Sequence, residues 1–173
     1  MAVAPSVRAF RAHEWRTYRD LRLSALADSP DAFGGTLAGE ENRADGEWAN
    51  RLALGADHRW SLPLLAEVAG QPVGLAWGRI EKTTPDVANV YQMWVAPTHR
   101  GQDAGRLLLE AISDWASAAG VRRVLLSVTC GDSPARGLYV RAGFTPIGEA
   151  EPLRPGSDLL VQPMQMLLSS DAA

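Results

Sequence analysis

The loop His99–Gly105 joins a predicted strand to the clearest amphipathic helix of the chain, and it constrains the fold more than any other segment. The strand spans Val87–Val95, and the helix spans Ala104–Ala119 with Gly120 just beyond its end. One apolar face of that helix is formed by Leu108, Ile112, Trp115 and Ala119. Because a helix with one apolar face must bury it against another layer, this segment predicts helices packed on a sheet.

The other predicted elements extend this pattern along the chain. Helices are predicted over His13–Ala27, over Glu47–Leu54 with Gly55 as its cap, and over Pro134–Ala142. Strands are predicted over residues 3–10, Trp60–Ala69, Pro72–Glu81, Arg122–Thr129, Phe144–Gly148 and Leu159–Leu168. This order predicts an α/β or α+β layered domain with a mixed sheet. The length of 173 residues is close to the ~150 of an average domain, so we expect a single domain over residues 1–173.

Charge and rare residue types exclude several classes of function. The chain has 17 Lys and Arg against 20 Asp and Glu, and the net charge of −3 argues against a nucleic-acid or anionic-membrane partner. The single cysteine, Cys130, excludes a Cys-rich zinc site, and the three histidines lack metal-ligand spacing, so no metal is expected. The first residues do not read as a signal peptide, and no apolar stretch approaches the ~20 residues of a membrane helix. These features predict a soluble, cytoplasmic protein.

The loop His99–Gly105 also has the composition of an anion site. A loop that feeds a helix N-terminus can point several backbone N–H groups at one place, where the helix dipole favours negative charge. Arg100 and Arg106 would add charged donors for phosphate oxygens. The alternative is an ordinary strand-to-helix connection whose glycines only ease the turn. The loop matches neither the Walker sequence nor Gly-x-Gly-x-x-Gly, which argues against nucleoside-triphosphate and dinucleotide sites.

Residues 132–144 predict a short helix with one aromatic side chain on its apolar face. Ser133 is a natural N-cap, and Pro134 suits the first helical position. Tyr139 lies on the apolar face, so packing is the simplest interpretation of this tyrosine taken alone.

Taken together, the two stretches resemble the Gcn5-related N-acetyltransferase (GNAT) superfamily. The resemblance covers residues 87–148 and runs through Tyr91-Gln-Met-Trp-Val95, Arg100-Gly-Gln-Asp-Ala-Gly105 and Leu138-Tyr139 followed by Gly143-Phe144. Pro30–Gly34 and Trp48 are weaker signs of a bacterial subgroup. The resemblance implies a mixed, mostly antiparallel sheet with helices on both faces and a splayed parallel pair of strands in the middle.

The resemblance further implies an enzyme that transfers an acetyl group from acetyl-CoA to a primary amine by direct attack, without a metal. Pantetheine would pair with the backbone of the strand Val87–Val95, and the loop Arg100–Gly105 would take the pyrophosphate. Tyr139 would give its proton to the leaving thiolate, and a backbone N–H near Val95 would polarise the thioester carbonyl. The coenzyme-binding residues so implied are Met93, Trp94, Val95, Arg100, Gly101, Gln102, Asp103, Ala104, Gly105, Arg106, Asp132 and Tyr139.

Two aspartates depart from the family pattern. Asp103 stands where the first glycine of the family loop usually stands, and its carboxylate would repel a pyrophosphate unless it turns away, for example to cap the helix. Asp132 stands where family members often have Asn, and it can accept a hydrogen bond but cannot donate one. We therefore expect weakened or rearranged coenzyme binding, with Asp132 serving only as a second cap for the short helix.

The general base and the acceptor stay open. Gln92 has a plausible inward position but cannot act as a base. The carboxylates considered for this role are Glu41, Glu47, Glu67 and Glu81. Acidic residues around positions 40–47 and at Glu67 could attract a cationic amine, so the acceptor could be a drug-like amine, a polyamine or a peptide N-terminus.

Two other functions remain open at this level. A non-catalytic acyl-CoA-binding or sensing module is favoured by Asp103, Asp132 and the absence of a glutamate from the strand Val87–Val95. A nucleotide-binding α/β protein would have to bind ATP or NAD at least as well as CoA. The resemblance also allows a homodimer, because dimers are frequent among such domains.

Overall fold

The computed structural model describes residues 2–169, which form five helices and one eight-stranded sheet. The helices are α1 (Trp15–Asp28), α2 (Leu37–Glu40), α3 (Asp45–Leu52), α4 (Ala104–Ala118) and α5 (Pro134–Arg141). The strands are β1 (Ser6–Ala9), β2 (Ser61–Val68), β3 (Gln71–Glu81), β4 (Thr84–Val95), β5 (Arg123–Thr129), β6 (Thr145–Pro146), β7 (Glu151–Pro152) and β8 (Leu160–Leu167). The predicted mixed α/β architecture is confirmed.

The strands of the sheet lie in the order β1-β2-β3-β4-β5-β8-β6, with β7 also paired to β8. The pair β4–β5 is parallel, and the other pairs are antiparallel. A parallel pair needs a crossover connection, and α4 supplies it by packing on one face of the sheet. The predicted mostly antiparallel sheet with one parallel pair in the middle is confirmed.

The parallel strands separate soon after they meet. Their register runs from Val87, opposite Arg123, to Asn89, opposite Leu125. Beyond that point β4 continues to Val95 and β5 to Thr129 without further pairing between them in the described chain. The sheet is therefore open along one edge of β4, as the resemblance implied.

A bulge in β4 lies next to this opening. Trp94 pairs with Leu75 of β3 and Tyr91 pairs with Trp77, so two residues of β4 face one residue of β3 between these pairs. One of the two, Gln92, has φ +56°, a left-handed conformation that is uncommon for residues other than glycine. After the bulge, Trp94 and Val95 remain paired with β3, so the opening lies on the β5 side of β4.

Two apolar cores cover the two faces of the sheet. Consecutive residues of β2 show the alternation, because Leu64 packs in the core under α4 while Leu65 packs in the core under α1 and α3. In the second core the ring of Tyr18 makes edge-to-face contacts with Phe10, Trp48 and Trp77 at centroid distances of 5.5–5.7 Å. Both cores meet at β4, where the sheet opens.

Three predicted boundaries are wrong for local reasons. Helix α3 ends at Leu52, and Gly55 begins a following 3₁₀ turn with φ +50° instead of capping the helix. The strand predicted over Phe144–Gly148 is reduced to the two residues of β6. Gly148, with φ +63°, ends the extended segment there. The turn between β2 and β3 is centred on Ala69 and Gly70, both at positive φ, one residue earlier than predicted.

No helix within residues 2–169 combines the length and the apolar character that a bilayer crossing requires. The same residues contain no group of three or more His, Cys, Asp or Glu side chains arranged to hold a metal ion.

Candidate active site

A cleft of about 1990 Å³ lies over the opening between β4 and β5. Its walls are the segment Asp28–Gly35 after α1, residues 89–95 of β4, the loop before α4, and α5. The cleft thus joins the regions that the sequence singled out. It also receives residues of α1 that the sequence did not assign to a site.

The open edge of β4 presents backbone groups to this cleft. The N–H of Ala96 donates to Val73 O of β3 at 2.8 Å. Because successive residues of a strand point their backbone groups to opposite sides, the N–H groups of Met93 and Val95 point away from β3 and towards the opening. Such an unpaired strand edge can take an extended ligand as an additional strand.

The N-terminus of α4 provides a second set of unpaired donors. Asp103 occupies the N-cap position with φ +70°, and within residues 2–169 its side chain makes no capping hydrogen bond. The first N–H groups of a helix have no partner inside the helix, so those of Ala104, Gly105 and Arg106 remain available to a ligand. A helix N-terminus of this kind attracts anions. The expectation that Asp103 caps α4 is wrong in this structure.

Position 103 has a left-handed backbone conformation, with φ +70°, that glycine would adopt without strain. Asp103 tolerates this conformation better than most residues, but it still carries some strain. Its carboxylate turns towards Arg106 Nε at 3.3 Å, and Arg106 Nη1 also donates to Glu110 at 2.6 Å. Arg106 is therefore shared between two exposed carboxylates.

Arg100 is held by the end of α1 instead of projecting into the anion site. Its Nη2 donates to Asp28 Oδ2 at 2.6 Å, and its Nε donates to Val95 O at 2.9 Å. The same Asp28 oxygen accepts Trp94 Nε1 at 2.9 Å. Hydrogen bonds from Trp94, Ser29 and Arg100 lower the pKa of Asp28 to about 2, so this carboxylate is ionised at neutral pH and is a poor base.

Three further loop residues have structural roles. A Cβ at Gly105 would lie 2.8 Å from Leu138 Cδ2, so glycine allows α4 to approach α5 closely. Gln102 Nε2 donates to Thr98 O at 3.3 Å within the loop. Gly101, with φ +73°, provides the second left-handed position of the loop.

Tyr139 lies on α5 at the cleft wall and is only 7% exposed. Its ring contacts Phe144 edge-to-face with centroids 6.1 Å apart, and its hydroxyl finds no hydrogen-bond partner in the described part of the chain. Burial raises the pKa of Tyr139 to about 12. The side chain therefore has a structural role in packing and also presents a protonated hydroxyl without a protein partner.

Asp132 is not brought to the cleft. The cap of α5 is Ser133, whose Oγ accepts a hydrogen bond from Arg136 N at 3.1 Å, and the prediction of Asp132 as a second cap is wrong. The side chain of Asp132 has no hydrogen-bond partner among residues 2–169.

The four carboxylates considered as bases lie outside the described cleft. Glu67 pairs with Arg8 at 3.1 Å, and Glu47 accepts the backbone N–H of Ala44 at 2.9 Å at the start of α3. Glu81 lies near Arg79 at 3.6 Å, and Glu41 is exposed.

A cluster that the sequence did not predict lies behind the cleft wall. Glu40 accepts from Arg22 Nη2 at 3.2 Å and from Arg51 Nη1 at 3.1 Å, and Arg22 and Glu40 are 4% and 8% exposed. The sequence did contain one signal, because Arg22 falls on the apolar face of its helix together with Tyr18 and Leu26. The partners Glu40 and Arg51 come from other elements and carry no local signal.

Arg154 fixes the segment after α1. Its Nη1 donates to Phe33 O at 3.2 Å and its Nη2 to Pro30 O at 3.3 Å. The residues Pro30–Gly34, singled out in the sequence, therefore form a wall of the cleft that Arg154 fixes by hydrogen bonds.

Comparison with known proteins identifies the family of this chain. Residues 13–144 match the model of the acetyltransferase (GNAT) family. The chain is 37% identical over 92 residues to an IAA acetyltransferase of Azospirillum brasilense, a match that covers 53% of this chain and 60% of that protein. It is 40% identical over 137 residues to a mycothiol acetyltransferase of Beutenbergia cavernae, covering 78% of this chain and 41% of that protein. The chain thus spans less than two thirds of the length of either relative.

Solved structures show the same fold at lower identity. A GNAT-family acetyltransferase from Streptococcus pneumoniae superposes with a TM-score of 0.79 at 21% identity, covering 95% of this chain and 99% of that one. The protein yncA of Salmonella typhimurium, solved with its cofactor acetyl-CoA, superposes with a TM-score of 0.75 at 21% identity, covering 98% and 97%. Since the family match extends over most of the chain and the fold agrees, this chain belongs to the GNAT acetyltransferase family.

Proposed function

We propose that this protein transfers an acetyl group from acetyl-CoA to a primary amine by direct attack. The observation that carries the proposal is the meeting, in one cleft, of the unpaired edge of β4 and the uncapped N-terminus of α4. An extended arm that ends in a pyrophosphate matches this combination, because the strand edge pairs with amide groups and the helix terminus holds an anion.

The backbone around the bulge provides the electrophilic assistance. The N–H groups of Met93 and Val95 are directed into the opening and would donate to ligand carbonyls. A donor fixed in the sheet needs no reorganisation as negative charge develops on the thioester oxygen. We assign the pantetheine and carbonyl contacts to these two residues, with Trp94 between them packed on the α1 side.

Phosphate binding at α4 relies on backbone N–H groups more than on arginine side chains. Arg100 is engaged by Asp28, and Arg106 is engaged by Asp103 and Glu110. The loop residues Gly101, Gln102, Asp103, Ala104 and Gly105 would surround the pyrophosphate. The two arginines contribute as flanking charges, and Asp103 weakens the attraction.

Acetyl transfer forms a bond between the amine nitrogen and the acetyl carbon and breaks the carbon–sulfur bond, and the thiol departs with one proton. Tyr139 is the candidate donor of that proton, because its pKa of about 12 keeps it protonated at any working pH. An ordinary thiol has a pKa of ~8.5, so complete transfer from Tyr139 to a free thiolate is uphill by ~5 kcal/mol. Tyr139 must therefore donate a hydrogen bond to the sulfur first and pass its proton on only as it regains, through water, the proton that the attacking amine loses.

We propose that water in the cleft takes up the amine proton. The four carboxylates considered from the sequence lie outside the cleft, and Asp28 is too acidic to serve. The cleft is lined by further carboxylates, of which Asp103 and Glu110 pair with Arg106. Water in the cleft would carry the amine proton on to Tyr139. Cys130 does not line the described cleft, which supports direct attack over an acyl-enzyme on that thiol.

The same observation about carboxylates favours one alternative, a non-catalytic acyl-CoA-binding module. The names of the relatives leave the acceptor open, since they include acetyltransferases of mycothiol, of IAA and of L-2,4-diaminobutyric acid. The two functions are separated by following release of the free CoA thiol from acetyl-CoA with a broad panel of amines. Amine-dependent release with sequential kinetics supports transfer, whereas acetyl-CoA binding without any release supports the module.

A further inference from the structure

The buried cluster behind the cleft wall has more positive than negative charge. Glu40 is the carboxylate that lies between Arg22 and Arg51, and it accepts one hydrogen bond from each arginine. Burial acts to raise the pKa of Glu40, but the hydrogen bond and charge of Arg22 outweigh it, so that pKa lies below its ordinary value. With Glu40 ionised and both arginines charged, the cluster carries one net positive charge.

The cluster also has more hydrogen-bond donors than acceptors. Arg22 Nε and Nη1 are buried and lack a hydrogen-bond partner among the described residues, and so does Trp48 Nε1. Trp48 belongs to the same group, because the guanidinium of Arg51 lies 4.7 Å from its ring centroid. Buried donors without acceptors are unfavourable, so a ligand or water that brings oxygen atoms would stabilise this region.

The cluster reaches two adjoining cavities. Arg22 lines the main cleft, and Arg51 lines a second hollow of about 570 Å³. Tyr91 and Gln92, at the bulge of β4, line both. Tyr18 connects cluster and bulge, since its hydroxyl donates to Gln92 Oε1 at 2.8 Å. A molecule that presents its amine at the bulge can therefore extend towards Arg51.

The second hollow is otherwise aromatic and balanced in charge. Tyr18, Trp60, Trp77 and Tyr91 form much of its lining. Lys82 pairs with Asp57 at 2.7 Å, and Arg79 lies 3.6 Å from Glu81. Arg51 is thus the charged group of the hollow whose carboxylate partner, Glu40, is already shared with a second arginine.

We infer that the acceptor is an amine that also carries a carboxylate, held by the guanidinium of Arg51 with Arg22 behind it. A guanidinium offers several N–H donors in a planar fork that matches a carboxylate. This inference rests on the proposed function and narrows its substrate class. It differs from the expectation of a cationic acceptor attracted by acidic residues around positions 40–47. Glu40 is paired with two arginines, and Glu47 accepts the backbone N–H of Ala44 at the start of α3.

The test compares amines that differ by one carboxylate. Phenylalanine and phenethylamine form one pair, leucine and isopentylamine a second, and 4-aminobutyrate and butylamine a third. Initial rates of CoA release are measured with each member at saturating acetyl-CoA. We expect kcat/KM to favour the carboxylate-bearing member of at least one pair by tenfold or more. Equal values, or a preference for the plain amines throughout, would overturn the inference while leaving acetyl transfer itself established.

Variants of Arg51 localise the effect. Arg51→Gln leaves Arg22 and Glu40 as a neutral pair, and we expect it to reduce the carboxylate preference to within twofold of unity through KM. Arg51→Lys keeps the charge without the fork and should restore part of the preference. Arg59→Gln is the control, because Arg59 stacks on Trp60 at 4.5 Å and does not line the hollow. A preference that survives Arg51→Gln in a folded variant would contradict the assignment.

A binding measurement separates this inference from the proposed function. Calorimetric titration of the CoA-bound protein with phenylalanine and phenethylamine needs no turnover. Saturable binding of the amino acid that is lost in Arg51→Gln supports the carboxylate site even if no amine is acetylated. The same titration is made with the other two pairs, and absence of binding by the carboxylate-bearing member of every pair, with CoA bound, overturns the inference.

Discussion

Arg100 Nη2 donates to Asp28 Oδ2 at 2.6 Å, so the loop after β4 is tied to the C-terminal end of α1. The same carboxylate oxygen accepts the indole N–H of Trp94, which is 8% exposed. One aspartate thus fixes both the end of the open strand and the loop that leads into α4. The two sides of the cleft are coupled through this residue.

Removing this carboxylate should destabilise the protein. Asp28→Ala leaves the buried Trp94 N–H without its acceptor, which costs about 1–3 kcal/mol of unfolding free energy. Urea denaturation measures the loss. Asp31→Ala is the matched control, since Asp31 lies in the next turn and takes part in the described hydrogen bonds through its backbone oxygen. Equal losses in the two variants would contradict the role given to Asp28.

The same pair of variants gives a pH dependence. The pKa of Asp28 is lowered to about 2 from an ordinary value of 3.8, chiefly by Trp94 and then by Ser29 and Arg100. A carboxylate with a lowered pKa stabilises the folded state above its unfolded pKa, and that contribution is lost as the pH falls through the folded pKa. The stability difference between wild type and Asp28→Ala should therefore shrink between about pH 4 and pH 2. A difference that grows on acidification would be inconsistent with this pairing.

Replacing Asp103 should strengthen acetyl-CoA binding. Asp103→Gly removes a negative charge beside the pyrophosphate site and suits the φ of +70° at this position. Because the side chain is exposed and screened, we expect affinity to rise only about 3–10-fold, with a smaller effect at high salt. Asp103→Asn separates charge from backbone conformation, since it keeps the side-chain shape. A weaker affinity in both variants would mean that Asp103 supports the loop through Arg106.

Removing the hydroxyl of Tyr139 should affect turnover and spare binding. Tyr139→Phe is expected to lower kcat by about 10²-fold, the lower end of the range for general acids, because the donor pKa is far above that of a thiol. The acetyl-CoA dissociation constant and the melting temperature should stay near wild type, since the hydroxyl has no partner in the described chain and the ring contact with Phe144 is kept. Unchanged kcat would remove Tyr139 from the mechanism.

The rate profile at high pH tests the protonation state of the same residue. With a Tyr139 pKa of about 12, no decline in kcat/KM is expected up to about pH 10, whereas a tyrosine with the ordinary pKa of ~10 would already be losing its proton there. The rate should rise with pH until the acceptor amine is deprotonated. A descending limb centred near pH 10, absent from Tyr139→Phe, would contradict the burial effect.

Local sequence patterns were sufficient to predict the helices and the loop that frame this site. The apolar face of α4, the cap at Ser133 and the glycines of the loop each depend on neighbouring residues, so their positions could be predicted. The resemblance over residues 87–148 then placed the opening beside β4, which the register with β5 bears out.

Features that depend on contacts between residues far apart in the sequence could not be predicted in this way. Gln92 adopts φ +56° because β3 and β4 are out of register there, and nothing in the neighbouring residues signals the bulge. Glu40 is buried because Arg22 and Arg51 from two other helices meet it, and Arg100 turns from the loop because Asp28 lies within reach. Each depends on tertiary contacts between segments far apart in the chain.

Binding of acetyl-CoA tests the central claim most directly. Thermal unfolding is followed with acetyl-CoA, CoA, ATP or NAD, each in large excess. A ligand at a hundredfold its dissociation constant adds ~2.7 kcal/mol to the stability, which raises the melting temperature of a chain of this size by roughly 5–11 °C. We expect this shift with acetyl-CoA and CoA and not with ATP or NAD. A cooperatively unfolding protein that shows no shift with either CoA species would contradict a coenzyme site in the cleft between β4 and β5.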